Sequence, residues 1–123
     1  MSKFLDHRSI GLSLYADQLG MTTSEVESYF LKNYGSEFSE AAFAATGSGV
    51  WEENHLNLRE RSLLVISILA AIGGVESRLE GHFKWAIKHG ATIEDIRSAL
   101  LLVANYAGFA RASSALDILN RVI

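Results

Sequence analysis

Apolar residues recur along this chain at the three- and four-residue spacing of helices, and nowhere do they alternate with period two for long enough to make a strand. A first amphipathic stretch runs from about Ser9 to Leu19. In "TTSE", Thr22 to Glu25, a hydroxyl and a carboxylate three residues apart make a capping box, and the helix it opens should stop near Gly35. "SEFSEAAFAATGSG" reads as a short alanine-rich helix ended by Gly47 and Gly49, with a loop through "VWEENHL" behind it. Asn57 and Glu60 repeat the capping logic ahead of "SLLVISILAAI", which ends at Gly73 and Gly74. That run is apolar nearly all round, which predicts a central, mostly buried helix. The next helix spans about Glu76 to His89, with Gly90 in the left-handed position beyond its end. Thr92 caps a further one, whose first turn carries Glu94 and Asp95 near the positive end of the helix dipole and whose end is Gly108; a last helix covers "ARASSALDILNRVI". The pattern predicts an all-α fold of about six helices, without a repeat, as a single domain over residues 1–123.

One position interrupts the pattern. Leu79, His82, Phe83, Ala86 and Ile87 fall on the core-facing stripe of their helix, so an imidazole stands where leucine is expected. A lone histidine on an apolar face is more often a core residue with its ring nitrogens bonded to neighbouring carbonyls than a functional group.

Composition narrows the function classes. The 123 residues are 49% hydrophobic, enough for one real core, and carry no proline, so helix ends rest on glycine and capping residues. A net charge of −3, spread without blocks, argues against a nucleic-acid or membrane partner. The start "MSKFLDHRSIGLSLY" lacks the apolar core of a secretory signal, and no apolar run is long enough to span a bilayer, which predicts a cytoplasmic protein. With no cysteine there is no disulfide, thiolate metal site, redox pair or cysteine nucleophile. No metal is expected either, because His82 and His89 are not at the i, i+4 spacing of a helical metal pair; His89, at a helix end, should meet the negative end of the dipole. An apolar helix too extensive for so small a domain, and a last helix still apolar at Val122 and Ile123, suggest that another subunit covers part of the surface.

The stretches "GVWEENHLNLRERSLLVISILAAIGG", "RLEGHFKWAIKHGATIEDI" and "NYAGFARASSAL" together resemble the carboxymuconolactone decarboxylase family, relatives of alkyl hydroperoxidase D, from about Leu19 to the C-terminus. The resemblance implies a hydroperoxidase-like helical fold, assembled as trimers or hexamers with active sites near subunit contacts. The matching positions are Trp51, Leu56, Arg59, Arg61, His82, Gly90, Thr92, Glu94, Ile96, Tyr106, Ala107, Gly108 and Ala112. Peroxidase members carry cysteines where this chain has Val75 and Arg78 and a relay glutamate where it has Ser62, so thiol peroxidase chemistry is excluded. Within the decarboxylase branch the chain departs at Glu53, Asn54, His55, Arg78, Ser98, Leu102 and Ala110.

What the resemblance implies is a cofactor-free lyase of aromatic-compound catabolism acting on a small carboxylated lactone or related compound. The substrate is its own electron sink, and the protein has to hold the carboxylate, stabilise charge on the lactone oxygen and protonate carbon. His82 is the expected proton-transfer residue. Arg59 could take a substrate carboxylate in a bidentate grip, while Arg61 is read as structural, orienting the helices through Glu94 or another subunit. Glu53 and His55 lie in the loop near the expected pocket mouth, and Trp51 and Tyr106 could line it and offer ring donors; each of these is more often a solvated loop residue or a packing anchor. The alternative is a non-catalytic helical oligomer that binds an apolar or aromatic small molecule, or a protein partner.

Overall fold

The structure, a computed structural model, describes residues 3–52 and 55–123. Its described residues form seven helices and no strand: α1 (Lys3–Leu19), α2 (Thr23–Tyr34), α3 (Ser36–Thr46), α4 (Leu58–Ile72), α5 (Glu76–Lys88), α6 (Ile93–Ala107) and α7 (Phe109–Val122). Each of the seven helical stretches read along the sequence forms, one more than the expected count of about six, and Gly35 ends α2 and opens α3 at once: its φ of 82° breaks the helical path, and its N–H still reaches the Leu31 carbonyl. All three capping boxes form, at Thr22 with Glu25, Asn57 with Glu60, and Thr92 with Asp95. Helix α1 begins well before Ser9, the start that periodicity suggested.

The chain divides into two compact units, residues 1–52 and 53–123. In the first, α1 packs on α3, and α2 lies against both. Leu12, Val26, Phe30 and Phe43 make its core. Arg8 ties the three helices together: its guanidinium donates to Glu40 at 2.6 Å and Glu27 at 3.2 Å and lies over the Phe43 ring at 5.6 Å. Two glycines set the α1–α3 approach. A Cβ on Gly11 would strike the Phe43 carbonyl, and one on Gly47 the His7 carbonyl, so the two backbones meet where neither has a side chain. Neither obstacle is a flexible side chain that could move aside. Gly11→Ala is therefore expected to destabilise this unit by about 1–3 kcal/mol. Urea unfolding is the measurement, and a midpoint unchanged from wild type would refute the close-approach argument.

In the second unit α4 packs against α5, α6 and α7, and α7 also packs against α5 and α6. Ile66 and Ala70 of α4, Leu79, Phe83 and Ala86 of α5, Ile96, Leu100 and Val103 of α6, and Ala112, Ala115, Ile118 and Leu119 of α7 form one buried cluster. The expectation that α4 is mostly buried needs correcting: Leu64, Ile68 and Ile72 are exposed along one side of it, and Ile72 is 61% open. Three helices cover only part of its circumference. On α5 the buried stripe also differs from the expected one, since Trp85 is buried and Ile87 is exposed.

Candidate active site

Helix α5 carries the imidazole that the sequence singled out. Leu79, Phe83 and Ala86 turn fully into the core, and His82 stands at the edge of that stripe, half-buried. Burial is what lowers the His82 pKa below the ordinary histidine value, because the cation loses solvation that nothing nearby replaces in full. The ring is thus neutral near pH 7, and the residue is only half-buried. Beside it lies Trp85, ring centroids 5.9 Å apart and tilted by 59°. Trp85 in turn meets His89 at 4.7 Å.

His89 stands at the C-cap of α5, the helix end at which the sequence reading puts it, and its Nδ1 also lies 2.7 Å from the buried Ser62 hydroxyl at the start of α4. Ser62 and His89 form a contact that sequence reasoning missed, and no local signal announces it: the two residues are 27 positions apart on antiparallel neighbours.

The ion pair between the starts of α4 and α6 is made by Arg59 and Asp95, not by Arg61 and Glu94. Arg59 grips both carboxylate oxygens, Nε to Oδ2 at 3.1 Å and an Nη nitrogen to Oδ1 at 2.8 Å. Asp95 can receive it because the capping box already turns its carboxylate toward the head of α6, where Oδ2 also accepts from the Thr92 N–H at 2.9 Å. Arg61 instead reaches back to the Leu56 carbonyl, and Glu94 is exposed. Arg59 is therefore largely committed to a structural pair.

That pair makes a testable statement about charge. The Arg59 hydrogen bond first, then the Thr92 backbone bond, hold Asp95 down at about 2. A carboxylate lowered in the folded state stabilises it above the ordinary aspartate range and loses that contribution as pH falls toward the depressed value. In Arg59→Ala, Asp95 should titrate closer to its ordinary value while remaining below it, because the capping bonds persist. Carboxyl carbon shifts followed by NMR across pH 1.5 to 6 would read this directly; an Asp95 titration that does not move would show that the pair is not what sets it.

Tyr106, on the last turn of α6, is 85% exposed and lines an open groove with Leu63, Ser67, Ala71 and Leu102. The groove encloses about 420 Å³ between α4 and α6 and is almost entirely apolar. Ser62 faces α5 while Leu63, Ser67 and Ala71 face the groove, so Tyr106 opens on a different side of α4 from the helix that holds His82. A single chain does not bring those two residues together. His55 is exposed, ahead of α4. Trp51 is half-buried in a turn of the first unit, and Glu53, expected near the pocket mouth, lies outside the described residues together with Asn54.

Beside Val75, one of the positions occupied by cysteine in peroxidase relatives, a hollow of about 20 Å³ is lined by Gly73, Glu76, Leu79 and Arg111. It has room for about one water and none for an organic acid. Among the described residues no cluster of three or more His, Asp or Glu side chains is placed to hold a metal ion, and no helix is long and apolar enough to cross a membrane.

Comparison with known proteins bears on this arrangement. The chain is 24% identical over 112 residues to a protein of Acinetobacter baylyi (strain ATCC 33305 / BD413 / ADP1) named 4-carboxymuconolactone decarboxylase, an alignment that spans 91% of this chain and 83% of that one. No solved structure gives a significant match. The family model for the carboxymuconolactone decarboxylases matches residues 37–121, from the first turn of α3 to the last turn of α7, and the chain belongs to that family.

Proposed function

We propose that this protein is a cofactor-free lyase that removes carbon dioxide from a small carboxylated lactone or a related β-keto-acid-like compound, with His82 moving the proton. Family membership and the name of the Acinetobacter baylyi relative support the decarboxylase class. The observation that carries the residue assignment is a half-buried imidazole at the rim of a buried stripe, neutral near pH 7.

The chemistry balances without a redox partner. The bond between the carboxylate carbon and the ring breaks, its electron pair flows into the conjugated lactone carbonyl, and carbon dioxide departs. The resulting dienolate takes one proton on carbon, and the electrons return to form the product lactone. Because free His82 is neutral, it has to acquire that proton first. An anionic substrate next to the ring favours the imidazolium, so binding itself draws the proton on. Calorimetric titration of a product-like lactone carboxylate at pH 7 in buffers of different ionisation enthalpy should report uptake of about one proton per site. Uptake unchanged in His82→Gln would remove His82 from this role.

Arg59 is a limited carboxylate clamp in this scheme, since Asp95 fills its fork. His55 and Glu53 ahead of α4, and Trp51 and Tyr106, remain proposed contributors to substrate binding. The apolar face of α4 and α6 supports a homo-oligomer, a trimer or hexamer in the manner of the family, in which Tyr106 meets a neighbouring copy. A cytoplasmic place in aromatic-compound breakdown fits the same reading.

The groove between α4 and α6 favours one second reading, a non-catalytic oligomer that holds an apolar or aromatic molecule there. Incubation with carboxymuconolactone, followed by ultraviolet absorbance, separates the two. A falling substrate signal supports the lyase; a flat trace with a ligand-induced rise in Tm supports the binding protein.

A further inference from the structure

The side of α5 that carries His82 continues past it. Residues 82, 85 and 89 are spaced i, i+3 and i+7, which sets their side chains on one side of a helix, one turn above another. Here all three are rings, and each meets the next: His82 to Trp85 at 5.9 Å, Trp85 to His89 at 4.7 Å, separations at which aromatic rings are in contact. The far end of the row is tied to a different helix, through the hydrogen bond between His89 Nδ1 and the buried Ser62 hydroxyl at 2.7 Å.

We propose that Ser62, His89 and Trp85 are positioning residues for His82, a row of rings anchored on α4 that fixes the plane and rotamer in which the imidazole is presented. The inference rests on the reading of His82 as the proton-transfer residue and adds to it the means by which that ring is held.

Each link has a physical reason. His89 sits at the C-cap of α5, where the chain is leaving the helix and no following turn packs over its ring. The Ser62 bond removes that freedom, and Ser62 is a firm anchor because it is 2% exposed on the first turns of a helix closed by its own capping box. With His89 held, Trp85 is confined between two rings and is itself 3% exposed, so its indole is packed on the remaining sides as well. His82 then packs against a wall that does not move. A half-buried histidine without such a wall would sample several χ1 and χ2 settings, only some of which aim a ring nitrogen at the reacting carbon. None of the three touches substrate in this account; they act through His82.

The test uses the full chain with Ser62→Ala and His89→Ala, singly and together. The His82 Cε1–H and Cδ2–H resonances carry the ring current of Trp85 and report its position without any need for turnover. Each single variant should move those resonances from their wild-type positions, and the double variant should move them no further than the larger single change, because both remove the same bond. With carboxymuconolactone, kcat should fall on the order of tenfold while KM stays within about twofold, as expected when orientation and not binding is lost. Far-UV circular dichroism checks that each variant is folded, and Trp85→Phe, which keeps a ring but shortens its reach, serves as a second probe of the middle link and should shift the same resonances.

His82 resonances that coincide with wild type in both single variants, or shifts that add in the double variant, would overturn the proposal. The two layers fail separately. Shifted His82 signals with no turnover in any form, wild type included, would retire the lyase reading and leave the positioning row standing; turnover with unmoved signals would retire the row alone.

Discussion

His82→Gln is expected to lower turnover of carboxymuconolactone by roughly 10²–10⁴-fold while the helices stay intact. Glutamine matches the length of the imidazole and can hydrogen-bond at its rim, so the half-buried position tolerates it. What glutamine cannot do is carry a proton and release it. The same substitution should change the acid behaviour of the fold. His82 titrates below the ordinary histidine value, so the folded state binds its proton less readily than the unfolded chain does. Its contribution to stability is complete above about pH 6.5 and is lost as pH falls through the depressed value. His82→Gln should therefore be less acid-sensitive than wild type across that window. Rates and thermal unfolding at pH 5 and pH 7 measure both effects. A variant that turns over substrate at the wild-type rate would eliminate His82 as the proton carrier.

The second large effect concerns assembly. Ile68→Glu combined with Leu102→Glu is expected to convert the protein to a 13.5 kDa protomer in sedimentation equilibrium. Leu64, Ile68 and Ile72 form an open stripe on α4, and Leu101, Leu102 and Tyr106 an open patch on α6, with Leu102 63% exposed. No charged residue occurs between Arg61 and Glu76 or between Arg97 and Arg111, so no charge on these stretches resists burial. A continuous apolar face of this kind on a small domain marks an interaction surface, and the proposed occupant is a second copy in a closed symmetric pairing. Each substitution removes about 1.5–3 kcal/mol of apolar burial per copy and adds a carboxylate that resists desolvation. Every 1.4 kcal/mol is tenfold in Kd, so the pair together should weaken association by several orders of magnitude. A wild-type protein that already sediments as the protomer would refute the assembly outright. A double variant that sediments like an associated wild type would show that the contact lies elsewhere.

The helices and their caps were readable in the sequence because their causes are local. A hydroxyl or amide three residues before a carboxylate caps a helix whatever the rest of the chain does; the boxes at Thr22 and Asn57 form as expected, and the expected cap at Thr92 forms as a box with Asp95. Glycine ends α2 and α4 for an equally local reason. The family was readable as well, since its motifs are ordered along the chain. Two errors have one source: Ile87, expected on the core-facing stripe, is exposed, and α4 is open on one side, because periodicity gives the direction of a side chain but not whether another element lies there. The start of α1 was set too late, since Arg8 takes its place from partners on α2 and α3 that no local pattern displays.

By itself, then, the amino-acid order determined which segments coil, where they stop, that thiol chemistry is absent, and that an imidazole stands on an apolar face. Only the packed structure decided which arginine meets which carboxylate, that Gly11 and Gly47 let two backbones touch, and that His89 is held by Ser62. The division follows from range. Coiling and capping are settled by atoms within about four residues, whereas each of the others joins groups more than 25 positions apart, and their meeting is fixed by how helices pack rather than by what stands next in the chain.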